Sequence, residues 1–341
     1  MSIDTRVPEP VVDFLHGVAV ADPYRWLEDR NTAETRAWID GQQQRHDDYF
    51  REIPGYEWLR NKVSGFLNVE VFEQPVKIGD RYFYRRRKKD QEQACICVRE
   101  SATGRERILV DLADHGPFVA VAINRVSTDG SLLAFELRHG GSDMKAIHVV
   151  NVDNGRILAD HLETGYARGF AFVPGAEGFY YCHESDRATE PHAIRFHRFG
   201  ATIRHDPILL RVDRSDQSRL VLVADGLHLF AVLTHPGQND TSIKLYRSHH
   251  SRNKQWIPLL MNERVSSGVF FAGGCVFAIR KEASENEQIV QLTADGGASR
   301  VIVPACDHEI QGVAVAGENI YVSYSVNRMT TITFPSNIPV V

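Results

Sequence analysis

From about Phe72 onward, apolar residues come in short clusters bounded by turn residues, the pattern of strands rather than helices. Arg81-Tyr82-Phe83-Tyr84, Leu132-Leu133-Ala134-Phe135, Phe179-Tyr180-Tyr181, His228-Leu229-Phe230-Ala231, Cys275-Val276-Phe277-Ala278 and Ile320-Tyr321-Val322 are rich in aromatic or β-branched side chains. A turn signal precedes most of them: Gly79-Asp80, Asp129-Gly130, Gly175-Ala176-Glu177-Gly178, Asp225-Gly226, Gly273-Gly274 and Gly317-Glu318-Asn319. The first seventy or so residues read differently. Asp22-Pro23 suits an N-cap followed by proline at the first helical position, and Asn31 with Glu34 reads as a capping box. That box opens a helix from Thr32 to about Phe50. Pro54 opens a third segment in which Leu59, Val63 and Phe66 share a helical face.

The aromatic clusters recur roughly every 45–50 residues, and a second hairpin follows within most repeats. Residues 147–152 turn at Asp153-Asn154-Gly155 into Arg156-Ile157-Leu158. Residues 289–292 turn at Asp295-Gly296-Gly297 into Val301-Ile302-Val303. Two hairpins per period make four strands, one blade of a β-propeller. The expectation is a mainly β chain: a helical arm over residues 1–71 and a propeller over residues 72–341. Five repeats are full; a sixth reaches its third strand near Thr331-Ile332-Thr333-Phe334 and stops, giving about five and a half to six blades of an unfinished ring. Such a ring leaves edges and apolar blade faces uncovered.

Composition narrows the classes. The 341 residues are 43% hydrophobic and 24% charged, with a net charge of −5, which gives no reason to expect nucleic acid or an anionic membrane as partner. No apolar run is long enough to span a bilayer, and Met1 to Pro10 lacks the apolar core of a secretory signal, so a cytoplasmic setting is expected. Five scattered cysteines argue against a disulfide framework; Cys95 and Cys97 share a strand face and read as small buried residues.

The N-terminal text is specific. Val12-Asp13-Phe14-Leu15-His16-Gly17, Val20-Ala21-Asp22-Pro23-Tyr24-Arg25-Trp26-Leu27-Glu28-Asp29, then Glu34-Thr35 and Trp38, resemble the opening of the prolyl oligopeptidase family. Arg81-Tyr82-Phe83-Tyr84 resembles its first propeller strand. Ser127-Thr128-Asp129-Gly130 with Gly141-Ser142-Asp143 resembles its second blade. The resemblance implies an arm that packs on a C-terminal α/β-hydrolase domain. It also implies a seven-bladed propeller that caps the active site and admits short peptides, and a Ser-Asp-His triad that cleaves after proline. This chain would supply the arm and most of the propeller, with the α/β-hydrolase domain absent. The arm's Tyr24, Trp26, Leu27 and Trp38 are then expected to be loosely held, partly exposed, or buried only by self-association.

No Gly-x-Ser-x-Gly nucleophile elbow occurs; the nearest stretch, Gly140-Gly141-Ser142-Asp143-Met144, lacks the last glycine and lies between strands. Ser142 and Asp143 read as turn residues, with Asp143 able to pair a nearby arginine. No catalytic residue, metal site or cofactor is expected. Among the histidines, His249-His250 reads as a solvated loop, His192 and His197 differ in facing, and His16 reads as structural. The basic run Arg85-Arg86-Arg87-Lys88-Lys89 reads as a solvated hairpin end. The resemblance also implies a propeller arginine that binds substrate carbonyls and an apolar aromatic; this sequence departs from both, with His235 in the stretch 233–240 where the arginine is expected and Tyr166 and Ala167 in the neighbourhood of the aromatic. Asp143, Tyr166 and His235 are therefore the candidate gating or contact residues. The expected function is the arm and propeller of a serine endopeptidase, inactive alone. The alternatives are a non-catalytic binding module, or half of a split peptidase whose hydrolase is a separate chain.

Overall fold

The computed structural model describes residues 10–333, apart from 113–114, 117, 185–190, 214–217, 226–227, 237–240, 250–254, 266–268, 273–274, 282–285, 293–299, 317–318 and 327–328. The turn signals at Gly226, Gly273-Gly274, Asp295-Gly296-Gly297 and Gly317-Glu318, the loop residues after His249, and Phe334 lie outside the described residues. The chain divides into two compact units, Met1–Val69 and Glu70–Val341.

The first unit opens with a hairpin of β1 (Val11–Leu15) and β2 (Val18–Asp22). Its turn is His16-Gly17, both at positive φ, the I′ pattern that matches strand twist. The helical reading of this opening missed the alternating valines on either side of that turn. Asp22-Pro23 starts no helix: the Asp22 carboxylate accepts from the Tyr24 amide, and only a 3₁₀ turn, Arg25–Glu28, follows. Helix α1 (Ala33–Arg51) is capped one residue later than expected, by Thr32, whose hydroxyl accepts from the Thr35 amide 3.1 Å away. Asn31 instead donates its amide to Asp29. Helix α2 (Tyr56–Leu67) follows Pro54 and Gly55. Among the described residues of this unit only Thr35 is buried.

The second unit is a succession of antiparallel meanders. Strands β3 (Val71–Ile78), β4 (Arg81–Arg87), β5 (Cys95–Arg99) and β6 (Glu106–Val110) form the first sheet. Strands β7 (Val119–Val126), β8 (Leu132–His139), β9 (Lys145–Asn151) and the first half of β10 (Ile157–Phe172) form the second. The second half of β10 then opens the third, with β11 (Gly178–Glu184), β12 (His192–Arg198) and β13 (Ile208–Val212). The fourth sheet is β14 (Arg219–Asp225), β15 (His228–Pro236), β16 (Thr241–His249) and β17 (Ile257–Val265). The fifth is β18 (Val269–Ala272), β19 (Cys275–Lys281), β20 (Glu287–Leu292) and β21 (Arg300–Val303). The sixth is β22 (Ile310–Ala316), β23 (Asn319–Val326) and β24 (Met329–Thr333). Among the described residues beyond Val76 the one helical turn is the 3₁₀ segment Ile203–His205.

Each aromatic cluster read from the sequence lies in the second strand of its sheet, at β4, β8, β11, β15, β19 and β23. Such a strand is paired on both edges and packed on both faces, so it tolerates little polarity. Successive residues face opposite neighbours. In β11, Phe179 and Tyr181 pack with Ile147, Val149 and Phe170, while Tyr180 and Cys182 pack with Leu220, Leu222 and Leu229. The same alternation carries Phe83 onto Leu133 and Phe135, Phe230 onto Val276 and Val290, and Phe277 onto Ile320 and Val322. Arg81 fastens the first sheet to the second, reaching Glu100 and Asp153 at 2.7 Å and the Gly130 carbonyl at 2.9 Å.

The basic run is a hairpin end only at Lys88-Lys89. Arg85, Arg86 and Arg87 belong to β4, where Arg85 pairs with Glu73 at 3.0 Å and Arg86 with Glu70 at 2.6 Å and with Glu106. The acids stand on the neighbouring strand β3, just before it, or on β6 two strands away, which short-range sequence reading does not connect.

Candidate functional site on one rim of the sheets

Strand direction brings the three candidate residues to one end of their sheets. Asp143 lies between β8 and β9. Strand β10 returns to that end, where Gly165 pairs with Lys145. The next residue, Tyr166, pairs with Glu184 at the end of β11. Ser218, just before β14, has its hydroxyl 3.4 Å from His192 Nε2 at the start of β12. β15 runs back along β14 with Thr234 opposite Arg219, so His235 reaches the same end.

Only Tyr166 belongs to a developed cluster. The Arg168 guanidinium lies 5.3 Å from its ring centre, a cation–π distance. Arg168 also pairs with Glu184 at 3.5 Å, and Glu184 bonds His192 Nδ1. Ser218, His192 and Glu184 thus have the connectivity of a serine-hydrolase relay. Ser218 is buried, however, and precedes a strand rather than sitting on a strand-to-helix elbow. The trio reads as a buried brace that holds Arg168 over Tyr166. The sequence reading missed Arg168, Glu184 and Ser218. Their one signal was an acid closing the apolar strand Gly178–Glu184.

Asp143 is exposed and makes no ion pair with a described arginine; beside it the Ser142 hydroxyl accepts from the Met144 amide at 3.1 Å, a turn role. His235 is half-buried, and its Nε2 is enclosed without a hydrogen-bond partner among the described residues. The loop that follows Pro236 lies outside the described residues.

Two further histidine clusters brace the third sheet and its neighbour. His197, fully buried in β12, has Nδ1 3.0 Å from both Asp206 oxygens and Nε2 2.9 Å from Asp160. The Tyr181 hydroxyl donates to Asp206 at 2.9 Å. Burial, and after it the Asp206 charge, pushes the Tyr181 phenol well above its ordinary range. His148 stacks on His161 across the β9–β10 pair, with centroids 5.1 Å apart.

These stacked rings give a pH dependence. Burial lowers the pKa of His148, with His161 adding to it, and burial likewise lowers His183. Both bind fewer protons folded than unfolded between their folded values and 6.5. Their contribution to stability is full above about pH 6.5 and falls as pH drops through that window. His161 has the opposite sign: a bond to the Ala159 carbonyl raises it, so its contribution is full at low pH and is lost as pH rises through its folded pKa. With two groups against one, urea midpoints are expected to fall from about pH 7.5 to about pH 5.5. His148→Phe is expected to flatten that slope; an unchanged slope would remove His148 as its source.

A separate pocket of about 290 Å³ opens on the first sheet, lined by Phe72, Glu73, Pro75, Tyr82, Tyr84 and Arg99. Phe72 and Tyr84 lie 5.7 Å apart, and burial, then Glu106, pushes the Tyr84 phenol up to about 12. No group of three or more His, Cys, Asp or Glu among the described residues is arranged to hold a metal, and no described helix is long and apolar enough to cross a membrane.

Repeated four-stranded meanders, each packed face to face on the next, define a β-propeller. The chain belongs to the prolyl oligopeptidase family: the family model for the prolyl oligopeptidase N-terminal beta-propeller domain matches residues 4–336. It is similar to the prolyl endopeptidase of Elizabethkingia meningoseptica, 24% identical over 295 residues that cover 82% of this chain and 41% of that protein. The prolyl endopeptidase of Elizabethkingia miricola is 27% identical over 215 residues, 59% of this chain and 30% of that one. Among solved structures, a prolyl endopeptidase studied for inter-domain dynamics in catalysis and specificity matches with a TM-score of 0.82 at 25% identity, covering 98% of this chain and 51% of that one. Prolyl oligopeptidase B from Galerina marginata, bound to a 35mer hydrolysis and macrocyclization substrate, shares the fold with a TM-score of 0.75 at 17% identity, over 96% of this chain and 52% of that one. The chain therefore spans about half the length, or less, of these relatives.

Proposed function

We propose that this chain is the arm and propeller portion of a serine endopeptidase that cleaves short peptides after proline. In this reading an α/β-hydrolase segment outside these 341 residues supplies the Ser-Asp-His triad, and the remaining blade completes the ring. The rim with Tyr166, Arg168 and His235 faces the peptide. The chain alone does not hydrolyse peptides, and the protein works in the cytoplasm, a setting that fits five free cysteines.

The observation that carries the reading is the first unit's exposed apolar surface. Phe14, Tyr24, Trp58, Phe66 and Leu67 are all more than 55% exposed. Fully burying one such side chain is worth about 1.5–3 kcal/mol, so a covering domain has much to gain.

The purified chain is expected to leave a proline-containing chromogenic peptide intact and to take no fluorophosphonate label. Stoichiometric labelling of Ser218 or any other serine would overturn the division of labour. The DNA that follows codon 341 is expected to encode a Gly-x-Ser-x-Gly segment. Co-expressing that segment should yield post-proline cleavage of short peptides. Absence of such a coding stretch would favour a stand-alone binding module.

A further inference from the structure

Cys95 and Cys97 stand two positions apart on β5 and project from one face. Ile96 and Val98 point the other way, into the interface with the second sheet. The two thiols and Tyr84 make up a cluster of their own. Their sulfurs are 3.6 Å apart, and Cys95 Sγ is 3.3 Å from the Arg86 carbonyl. Both thiols are buried, Cys97 completely; Cys182, equally buried against the Leu220 carbonyl, differs in lying in a cluster that contains no other thiol.

We propose that Cys95 and Cys97 form a redox-responsive dithiol that a peroxide converts reversibly into an intrastrand disulfide. The Cys95 thiolate attacks one peroxide oxygen and breaks the O–O bond, leaving a sulfenic acid and, after protonation, one water. Cys97 sulfur then attacks the Cys95 sulfur, and the sulfenic hydroxyl leaves with the Cys97 proton as a second water. Two electrons from the sulfur pair reduce one peroxide.

Three features support the assignment. The pair is preassembled, so ring closure needs no encounter. The hydrogen bond with Cys97 draws the Cys95 thiol below its ordinary range, which favours Cys95 as the attacking sulfur. Closure from 3.6 Å to the roughly 2.05 Å of a disulfide must pull positions i and i+2 of an extended strand together. The resulting strain makes the bond easily reduced, a property of responsive rather than structural disulfides. In the ladder Cys97 lies opposite Tyr84 and Cys95 opposite Arg86. A pucker in β5 therefore reaches the wall of the Tyr82–Tyr84 pocket.

The test exposes the full chain to hydrogen peroxide at neutral pH, removes the peroxide, blocks remaining thiols with iodoacetamide in urea so that buried ones are reached, and maps tryptic peptides. Residues 90–99 form one such peptide, holding both cysteines and no others. It is expected to lose two hydrogens, to escape alkylation, and to revert with dithiothreitol, roughly tenfold faster than Cys182 reacts. In Cys97→Ser, dimedone should trap a sulfenic acid at Cys95 with no disulfide. Cys95→Ser should react far more slowly. Three results would each overturn the proposal: full alkylation of peptide 90–99 under peroxide that oxidises Cys275 or Cys306, a disulfide formed only between molecules, or direct passage to sulfinic acid.

Discussion

Replacing His197 by alanine is expected to destabilise the second unit by about 3–5 kcal/mol, since it strips a hydrogen-bond partner from two acids and leaves a cavity in their place. The imidazole is fully buried between Asp160 and Asp206 and touches both. Without it, two carboxyl groups face a cavity with no hydrogen-bonding group between them, and the Phe179 ring, 4.8 Å away, loses a neighbour. Asp160 would keep the Gly200 amide and Asp206 the Tyr181 hydroxyl, which limits the loss to that range. The measurement is the urea midpoint followed by far-ultraviolet circular dichroism. Adding Asp206→Asn to His197→Ala should recover part of the loss, because it removes one of the two acids left without their histidine partner. A His197→Ala midpoint within error of wild type would show that the two acids are solvated and that the brace is weak.

Gly169→Ala is expected to cost about 4 kcal/mol or more, a magnitude reserved for a severe core conflict. Gly169 lies in β10 at φ +144°, and a Cβ there would sit 2.1 Å from the Leu222 carbonyl oxygen. The obstacle is backbone of a neighbouring sheet, so no rotamer change relieves it. It falls where the β10–β11 register shifts between Ala167 and Phe170. Gly175→Ala is the control: it also has positive φ, +86°, but nothing lies within 4 Å of its Cβ. That change should cost only about 1 kcal/mol. Equal effects at the two positions would mean that backbone strain, not the approach of β14, decides.

The second strand of every sheet was legible because two-sided burial leaves it nearly uninterrupted in apolar residues, as in Phe179-Tyr180-Tyr181. The β1–β2 hairpin was less so, since its valines are exposed and the neighbouring helix signals dominate. The candidate site was legible only in outline. Tyr166 and His235 could be named, but the partners of the buried histidines lie far along the chain: Asp160 is 37 residues from His197. Arg168 looks from sequence like any surface arginine until Glu184 and His192 are folded against it. Paired charges of this kind carry no periodicity, so hydrophobic patterning is silent about them.

The sixteen-residue strand β10 has a consequence for cooperativity. In a modular array each repeat opens on its own, and only neighbour contacts tie it to the rest. Here one continuous backbone serves the second sheet through Gly165 and the third from Tyr166, giving seven strands in a single hydrogen-bonded ladder. Lifting β10 away would uncap both sheets at once. The stretch from Val119 to Val212 should therefore exchange its amide protons as one block, opening less often than the four-stranded sheets on either side. The middle of this array would act as its keel, from which the outer repeats unzip first.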